Sequence, residues 1–407
     1  MLLEVYDKNS LDRVDIIRTY TFVQYVHYFN DVGSFTIKVP MTEKSLPNLL
    51  KEGNYILFEK LGNELIMGVI KRFHKEGLEA PIVTISGFLL NHILSYRSIL
   101  RTVRYTGTVF DIERYLVTLN FINVEDSKRL IDQVMLANDY PKNSQTVTLC
   151  ETGEKISDVV RAMNLPYNYG YSLLPAIAKY DPSTGKNQNI VHFVFHQYIP
   201  SQRTIGNGVN SPVVFDMDLS NLSELVYEEN FIDYCSTAIV AGEDSGDDRK
   251  IVEAGDTTCS GIDRIELYVD ARDIQSEISN DEQEESGTIV YDENGNPYIV
   301  YPQTPSSTMS DEDYENALIS RGNEKLQDYL KQVNFEATAF TATNNSFKYG
   351  VDYFNGDFVT IIDRQLGLSV DVQITAVTKS LTESGEILDL TFGNQIQSLA
   401  RRFKRIK

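Results

Sequence analysis

Short runs near both ends of the chain alternate hydrophobic and polar residues. Ser34-Phe35-Thr36-Ile37-Lys38-Val39-Pro40 puts Phe35, Ile37 and Val39 on one face, the period of two that a half-buried strand requires. Residues 54–59 and 65–73 predict two further strands around Leu61-Gly62-Asn63, where glycine supplies the positive φ of a tight turn. Ile82-Val83-Thr84-Ile85-Ser86 follows and stops at Gly87. Several short strands separated by turn residues predict a small barrel or sandwich over residues 1–103.

The period changes over residues 104–222. Val109, Ile112, Leu116 and Leu119 recur at helical spacing behind Thr108, a candidate N-cap, and Ile156, Val159, Val160 and Met163 repeat that spacing within 154–164. Ile190 to His196 reads as a strand again, so this stretch predicts a middle α+β domain. Strands resume at 237–241 and 262–269, with the acidic loop Glu243-Asp244-Ser245-Gly246-Asp247-Asp248 between them. Residues 273–334 read as an insertion. They contain the charge run 281–285 and two short strands, 289–291 and 298–301, around the turn-forming Asp292-Glu293-Asn294-Gly295-Asn296-Pro297. A helix over 310–332 follows, capped by Ser310 with Asp313 in the capping-box position. Residues 335–393 are strands, and Ile396, Leu399, Phe403 and Ile406 space a final basic helix over 394–407.

The carboxy-terminal strands echo the amino-terminal ones. Gly53-Asn54-Tyr55-Ile56-Leu57-Phe58 matches Gly356-Asp357-Phe358-Val359-Thr360-Ile361, and each run leads to a Leu-Gly pair, Leu61-Gly62 and Leu366-Gly367. Gly68-Val69-Ile70-Lys71 then aligns with Gln373-Ile374-Thr375-Ala376, and Val83-Thr84-Ile85-Ser86 with Leu388-Asp389-Leu390-Thr391. A glycine closes each block, Gly87 or Gly393, with one extra residue in the second. Two related barrels in one chain have a use: three copies present six similar units to a six-fold partner.

Composition narrows the class. The 407 residues are 42% hydrophobic, enough for real cores and for about two to four domains. No run approaches the ~20 apolar residues that span a bilayer, and Met1-Leu2-Leu3-Glu4-Val5-Tyr6-Asp7 carries no export-signal pattern. Cys150, Cys235 and Cys259 are spread widely, which suits reduced thiols in a reducing cytoplasm, a Cys235–Cys259 bridge being the alternative. With 58 acidic and 37 basic residues the net charge is -21. Such a chain does not grip phosphate; its acid either forms a wall past which nucleic acid slides or serves solubility alone, and composition does not separate the two.

These blocks resemble the phage tail hub, or baseplate hub, family. Gly356-Asp357-Phe358-Val359-Thr360, Gln373-Ile374-Thr375-Ala376-Val377-Thr378 and Leu390-Thr391-Phe392-Gly393 are similar to that family's closing barrel. Tyr6-Asp7, Ser34-Phe35-Thr36-Ile37 and Gly53-Asn54 resemble its opening barrel, and Cys235-Ser236-Thr237-Ala238-Ile239-Val240-Ala241-Gly242 the start of its second. The resemblance implies a mainly β fold with α+β elements and two related, tail-tube-like β-barrels. These would be 1–103 and a split second barrel over 223–272 and 335–393, with the middle domain over 104–222. It further implies a homotrimer in the virion tail that caps the distal end of the tail tube and adapts six-fold symmetry to a three-fold tip. Partners would be the tail tube protein, a tail tip or spike protein and other baseplate proteins, with a tape measure protein as a further candidate neighbour. DNA would pass through the channel without specific binding, and any spike or lysin would be a separate chain after Lys407.

No residue is singled out as catalytic, cofactor-binding or metal-ligating. His192 and His196 stand four apart on a predicted strand, about 13 Å, too far for one ion; they read as surface residues. Asp292-Glu293-Asn294-Gly295-Asn296 resembles the start of a calcium loop, yet the twelfth position is Thr304, not a bidentate Glu. Zinc-helix, phosphate-loop and nucleophile-elbow motifs are absent, so the expectation is a structural protein without hydrolase activity. The alternative is a carbohydrate- or receptor-binding tail protein with a surface cleft.

Overall fold

The computed structural model describes residues 3–61, 64–77, 81–177, 190–219, 221–276, 288–291, 297–300, 309–339, 347–365, 367–382 and 385–393. They fall into two compact units. The first is drawn from 1–93, 170–228 and 333–396, the second from 94–169, 229–332 and 397–407. The hairpin turn at 292–296, the charge run 281–285 and the basic segment 394–407 lie outside the described residues.

In the first unit the amino-terminal block contains β1 (Leu3–Tyr6), β2 (Arg13–Ile17), β3 (Phe22–Tyr28), β4 (Ser34–Pro40), β5 (Tyr55–Leu61), β6 (Glu64–Glu76) and β7 (Ile82–Leu89). They pair antiparallel in the order β3-β4-β7-β6-β5-β1-β2. The alternation of β4 sends Phe35, Ile37 and Val39 into a core shared with Val5, Ile56, Phe58, Val83 and Ile85. Each such side chain stabilises the fold by about 1.5–3 kcal/mol when fully buried.

The carboxy-terminal block contains β8 (Leu222–Asn230), β9 (Gln332–Ala339), β10 (Phe358–Asp363), β11 (Leu368–Thr382) and β12 (Gly385–Gly393), in the order β8-β9-β12-β11-β10. This is the order β3-β4-β7-β6-β5, strand for strand, and the match extends to individual bonds. Gly53 N–H donates to Ile70 O (3.0 Å) and Ile70 N–H to Asn54 O (2.9 Å); Gly356 N–H donates to Ile374 O and Ile374 N–H to Asp357 O, both at 2.9 Å. Both glycines have positive φ, 87° and 96°. Both long strands then bulge at the next residue, Lys71 between Ile70 and Arg72, and Thr375 between Ile374 and Ala376.

These contacts correct the alignment expected from sequence by one position. Ile70 corresponds to Ile374, not Thr375. Gly87 pairs with Ile70 as Phe392 pairs with Ile374, so Gly87 corresponds to Phe392, not Gly393. A Cβ on Gly87 would lie 1.9 Å from Val69 O and 2.8 Å from the Phe35 ring; the Phe35 side chain already occupies that space.

The blocks differ on their outer flank. β5 is flanked by the antiparallel β1, whereas β10 is flanked by the short strands Gln202–Arg203 and Val214–Asp216, both parallel to it. Among the described residues the strand path is open and neither block closes on itself, so the expected closed barrels are not seen. The two blocks instead join edge to edge, because β3 pairs antiparallel with β11, from Tyr28 opposite Ala376 to Val23 opposite Leu381. At this seam Lys379 Nζ lies 2.6 Å from Glu59 Oε2 and 3.1 Å from Glu386 Oε1. The Tyr25 hydroxyl donates to Glu59 Oε1.

The second unit departs from the expected segments. Residues 237–270 do not join the strands of 335–393. Thr237–Ala241, Ile251–Gly255 and Glu266–Asp270 make their own three-stranded sheet, and of 223–272 only β8 enters the large sheet. The strand expected at 262–269 starts at Glu266, after a short 3-10 turn. The helix expected within an inserted elaboration is part of a core. With α1 (Val109–Val117) and α2 (Ile156–Asn164) preceding it, α3 (Asp311–Leu326) buries Tyr314, Ala317, Leu318 and Leu326 against Ala238, Val240, Ala254 and Val269. An apolar sheet face needs such a cover. The expected caps form: the Thr108 and Ser310 hydroxyls accept from Asp111 N–H (3.2 Å) and Asp313 N–H (3.1 Å). Of 104–222, residues 170–222 belong to the first unit, which contains the parallel strands beside β10.

Gly356→Ala tests the corner of the second block. The new methyl would meet the Phe29 ring at 2.6 Å and force a positive φ on alanine, whereas Gly367→Ala, also at positive φ (67°), meets nothing within 4 Å. Strain at positive φ costs on the order of 1–3 kcal/mol and overpacking a similar amount. Denaturant unfolding should therefore show Gly356→Ala losing clearly more stability than Gly367→Ala.

Candidate functional site

Two features stand out once the core is accounted for: the edges of the large sheet that lack a strand partner among the described residues, and a cleft in the second unit. Along β6, residues 64–69 pair with β5, while residues 72–76 pair only with β7 among the described residues. Residues 72–77 are all exposed, and Phe73 shows 37% of its surface. β8 has β9 on one side and no second strand among the described residues; Val226 on it is 49% exposed. Exposed edges present rows of backbone donors and acceptors to any passing strand.

The cleft has a volume of about 520 Å³ and lies between the hairpin strand Thr146–Glu151, α2 and α3. Its apolar lining includes Leu149, Met163, Pro166 and Ile274, while six carboxylates face three cations. At its centre Arg321, 9% exposed, reaches Glu151 at 2.6 Å, Asp273 at 2.9 Å and Glu324 at 3.7 Å. The two ends of this network respond differently. Burial acts to lower the guanidinium pKa, but Glu151, Glu324 and Asp273 outweigh it and hold Arg321 above its ordinary value. For Glu151 burial dominates even against Arg321, and its pKa is pushed up to about 7. A buried carboxylate with partial proton occupancy near neutrality can accept or release a proton as a ligand binds.

A second anchor of this unit is Arg114, fully buried. It donates to Ala137 O at 2.9 Å and to the Tyr291 hydroxyl at 3.2 Å, and packs over the Tyr140 ring at 4.0 Å. Tyr291 belongs to the hairpin Thr288–Tyr291 with Pro297–Val300, so that hairpin is tied to α1.

The other residues weighed from sequence are dispersed. His192 and His196 lie on the strand Ile190–Tyr198, opposite Ala176 and Ser172. Both are half-buried, not surface residues as expected, and burial lowers the His196 pKa. Cys150, Cys235 and Cys259 are free thiols; burial raises the Cys150 pKa, away from nucleophilic behaviour. Among the described residues no group of His, Cys, Asp and Glu is arranged to hold a metal ion, and no helix is long and apolar enough to cross a membrane. Sequence reasoning missed the Arg321 cluster, although the positions 321 and 324 share one face of α3.

The Glu151 pKa carries a sign. The folded value, about 7, exceeds the ordinary 4.5, so the fold favours the protonated form. That contribution to stability is present below about pH 4.5 and is lost as pH rises through 7. Glu151→Gln should flatten the fall in unfolding free energy between these values relative to wild type. An unchanged profile would show that Arg321 keeps Glu151 ionised.

Comparison with known proteins bears first on the fold. The 43 kDa tail protein of prophage MuSo2 from Shewanella oneidensis aligns over 96% of this chain and 98% of its own, with TM-score 0.55 and 13% identity. A tail protein from Neisseria meningitidis MC58 aligns over 96% of both chains, with TM-score 0.53 and 14% identity. Prophage tail protein gp18 from Listeria monocytogenes EGD-e aligns over 100% and 98%, with TM-score 0.50 and 13% identity. At such identities the likeness is one of fold, which is mainly β in this chain. No curated protein matches the sequence. The family model for Siphovirus ReqiPepy6 Gp37-like proteins, by contrast, matches residues 2–394. The chain belongs to that family and is a phage tail protein.

Proposed function

We propose that this tail protein is the hub that caps the distal end of the tail tube and converts six-fold to three-fold symmetry. The observation that carries the reading is the duplicated five-strand block within one continuous sheet, with common strand order, corner glycines and bulges. Three copies supply six blocks to a six-fold tube while the second unit, present once per chain, keeps three-fold symmetry. On this reading the protein is a homotrimer that contacts the tube protein, a tip or spike protein and other baseplate proteins, and assembles in the host cytoplasm. Its work is mechanical and non-enzymatic. The charge of -21 repels phosphate and favours passage of DNA without binding.

Imaging of the assembled tail tests this directly. Three copies at the distal end of the tube, with alternating blocks over the tube subunits, are expected. Six copies, or a position along the tube wall, would overturn the hub assignment.

The cleft favours a second reading, recognition of a carbohydrate or other receptor, since its apolar base and ion-pair network combine shape with polar anchors. A glycan array probed with the purified protein distinguishes the two. Reproducible binding that Arg321→Ala abolishes would move the function toward recognition, while no binding leaves the cleft a packing feature.

A further inference from the structure

The internal seam shows which edges a second copy would use. Because Ile70 corresponds to Ile374 and the bulges at Lys71 and Thr375 coincide, Arg72 corresponds to Ala376, His74 to Thr378 and Lys75 to Lys379. In the second block that half-strand does not end free: Ala376 to Leu381 pair with β3. Its counterpart in the first block, residues 72–77, has no such partner among the described residues, although the same backbone geometry leads into it.

The other half of the seam also has a counterpart. Phe35 faces Gly87 as Phe335 faces Phe392. Tyr25 stands opposite Phe35, and the Tyr227 ring packs on Phe335 at 4.7 Å. β8 therefore corresponds to β3, with Tyr227 for Tyr25 and Glu228 for Val26. Within the chain β3 is covered by β11, whereas β8 has no strand on its other side among the described residues.

Charge points the same way and is independent of the repeat. In a chain of net charge -21, residues 71–75 read Lys-Arg-Phe-His-Lys, followed by Glu76, whose Oε1 lies 3.3 Å from His74 Nε2, and residues 227–229 read Tyr-Glu-Glu. Lysine on a free edge ordinarily keeps copies apart; an opposing edge of opposite sign reverses that effect.

We propose that residues 72–77 of β6 pair antiparallel with β8 of a second copy, in the register that β11 and β3 use within one chain. His74 then stands opposite Glu228, as Thr378 stands opposite Val26. Lys75 stands opposite Tyr227, as Lys379 stands opposite Tyr25. The contact is head to tail, and on the hub reading the alternation of internal and external seams closes with three chains. The proposal rests on the hub reading and adds its interface.

Disulfide trapping tests it, since paired positions in neighbouring strands bring Cα atoms within the ~4.4–6.8 Å that a disulfide spans. With Cys150, Cys235 and Cys259 replaced by alanine, His74→Cys/Glu228→Cys protein is oxidised mildly and resolved without reductant, alongside light scattering of the uncrosslinked protein. Covalent dimers and trimers are expected. Phe73→Cys/Glu228→Cys, whose side chains fall on opposite faces, should give none. Matching thermal unfolding of the reduced variants and wild type establishes that they are folded. A trimer that does not crosslink overturns this interface and leaves the hub reading standing. A chain that remains monomeric and unlinked overturns this interface as well, and the hub reading is then decided by imaging of the assembled tail; equal crosslinking of the two pairs overturns the register.

Discussion

The pairing of β3 with β11 turns two similar blocks into one object. It spans 356 residues between Gln24 and Ser380, whose side chains bond at 3.0 Å. Its centre is polar: Lys379, 11% exposed, stands against Glu59, 16% exposed, with the Tyr25 hydroxyl on the same carboxylate. Removing one partner from such a site leaves the other charge without compensation in a dry environment. The arrangement therefore specifies one register more strongly than apolar contact alone, which tolerates slips along a flat sheet. From that register follow the positions of both cores and the distribution of covered and uncovered edges.

Much of the first unit was legible in the sequence. Phe35, Ile37 and Val39 alternate cleanly, and Gly53 and Gly356 announce equivalent corners because only glycine is at ease there. The one-position error in the alignment arose before Ile70 and Ile374, where β5 bulges between Leu57 and Glu59 and β10 pairs with β11 without a bulge. A bulge inserts a residue without any requirement on its side chain, so it leaves little trace in composition. The assignment of 237–270 to the second block failed for another reason. Its short apolar strands fit either sheet, and the choice was made by the face of α3 that needed covering. The cleft was hidden for a similar reason. Arg321 on a polar helix reads as a solvated residue until the hairpin carrying Glu151 is folded against it.

The repeat is close where strands meet strands and loose where they meet other elements. The outer neighbour of β5 runs antiparallel and that of β10 runs parallel. Parallel neighbours require a crossover, here the chain between Asp216 and Phe358. The two blocks are thus similar in the part that a six-fold surface would sense and distinct in the part that attaches the remaining chain. In the same way the second unit, built from segments on both sides of β8, stands in the sequence between two halves of one sheet.

That order has a kinetic consequence during synthesis. β3 leaves the ribosome hundreds of residues before β11 exists. At ~5–20 residues per second the interval is roughly 20–70 s, long compared with the microseconds in which a local hairpin forms. For that time the amino-terminal block can fold with one flank of its sheet bare, and every nascent chain on a polysome presents the same flank to its neighbours. Completion of the carboxy-terminal strands removes that exposure, so a segment translated later acts as the cover of one folded earlier.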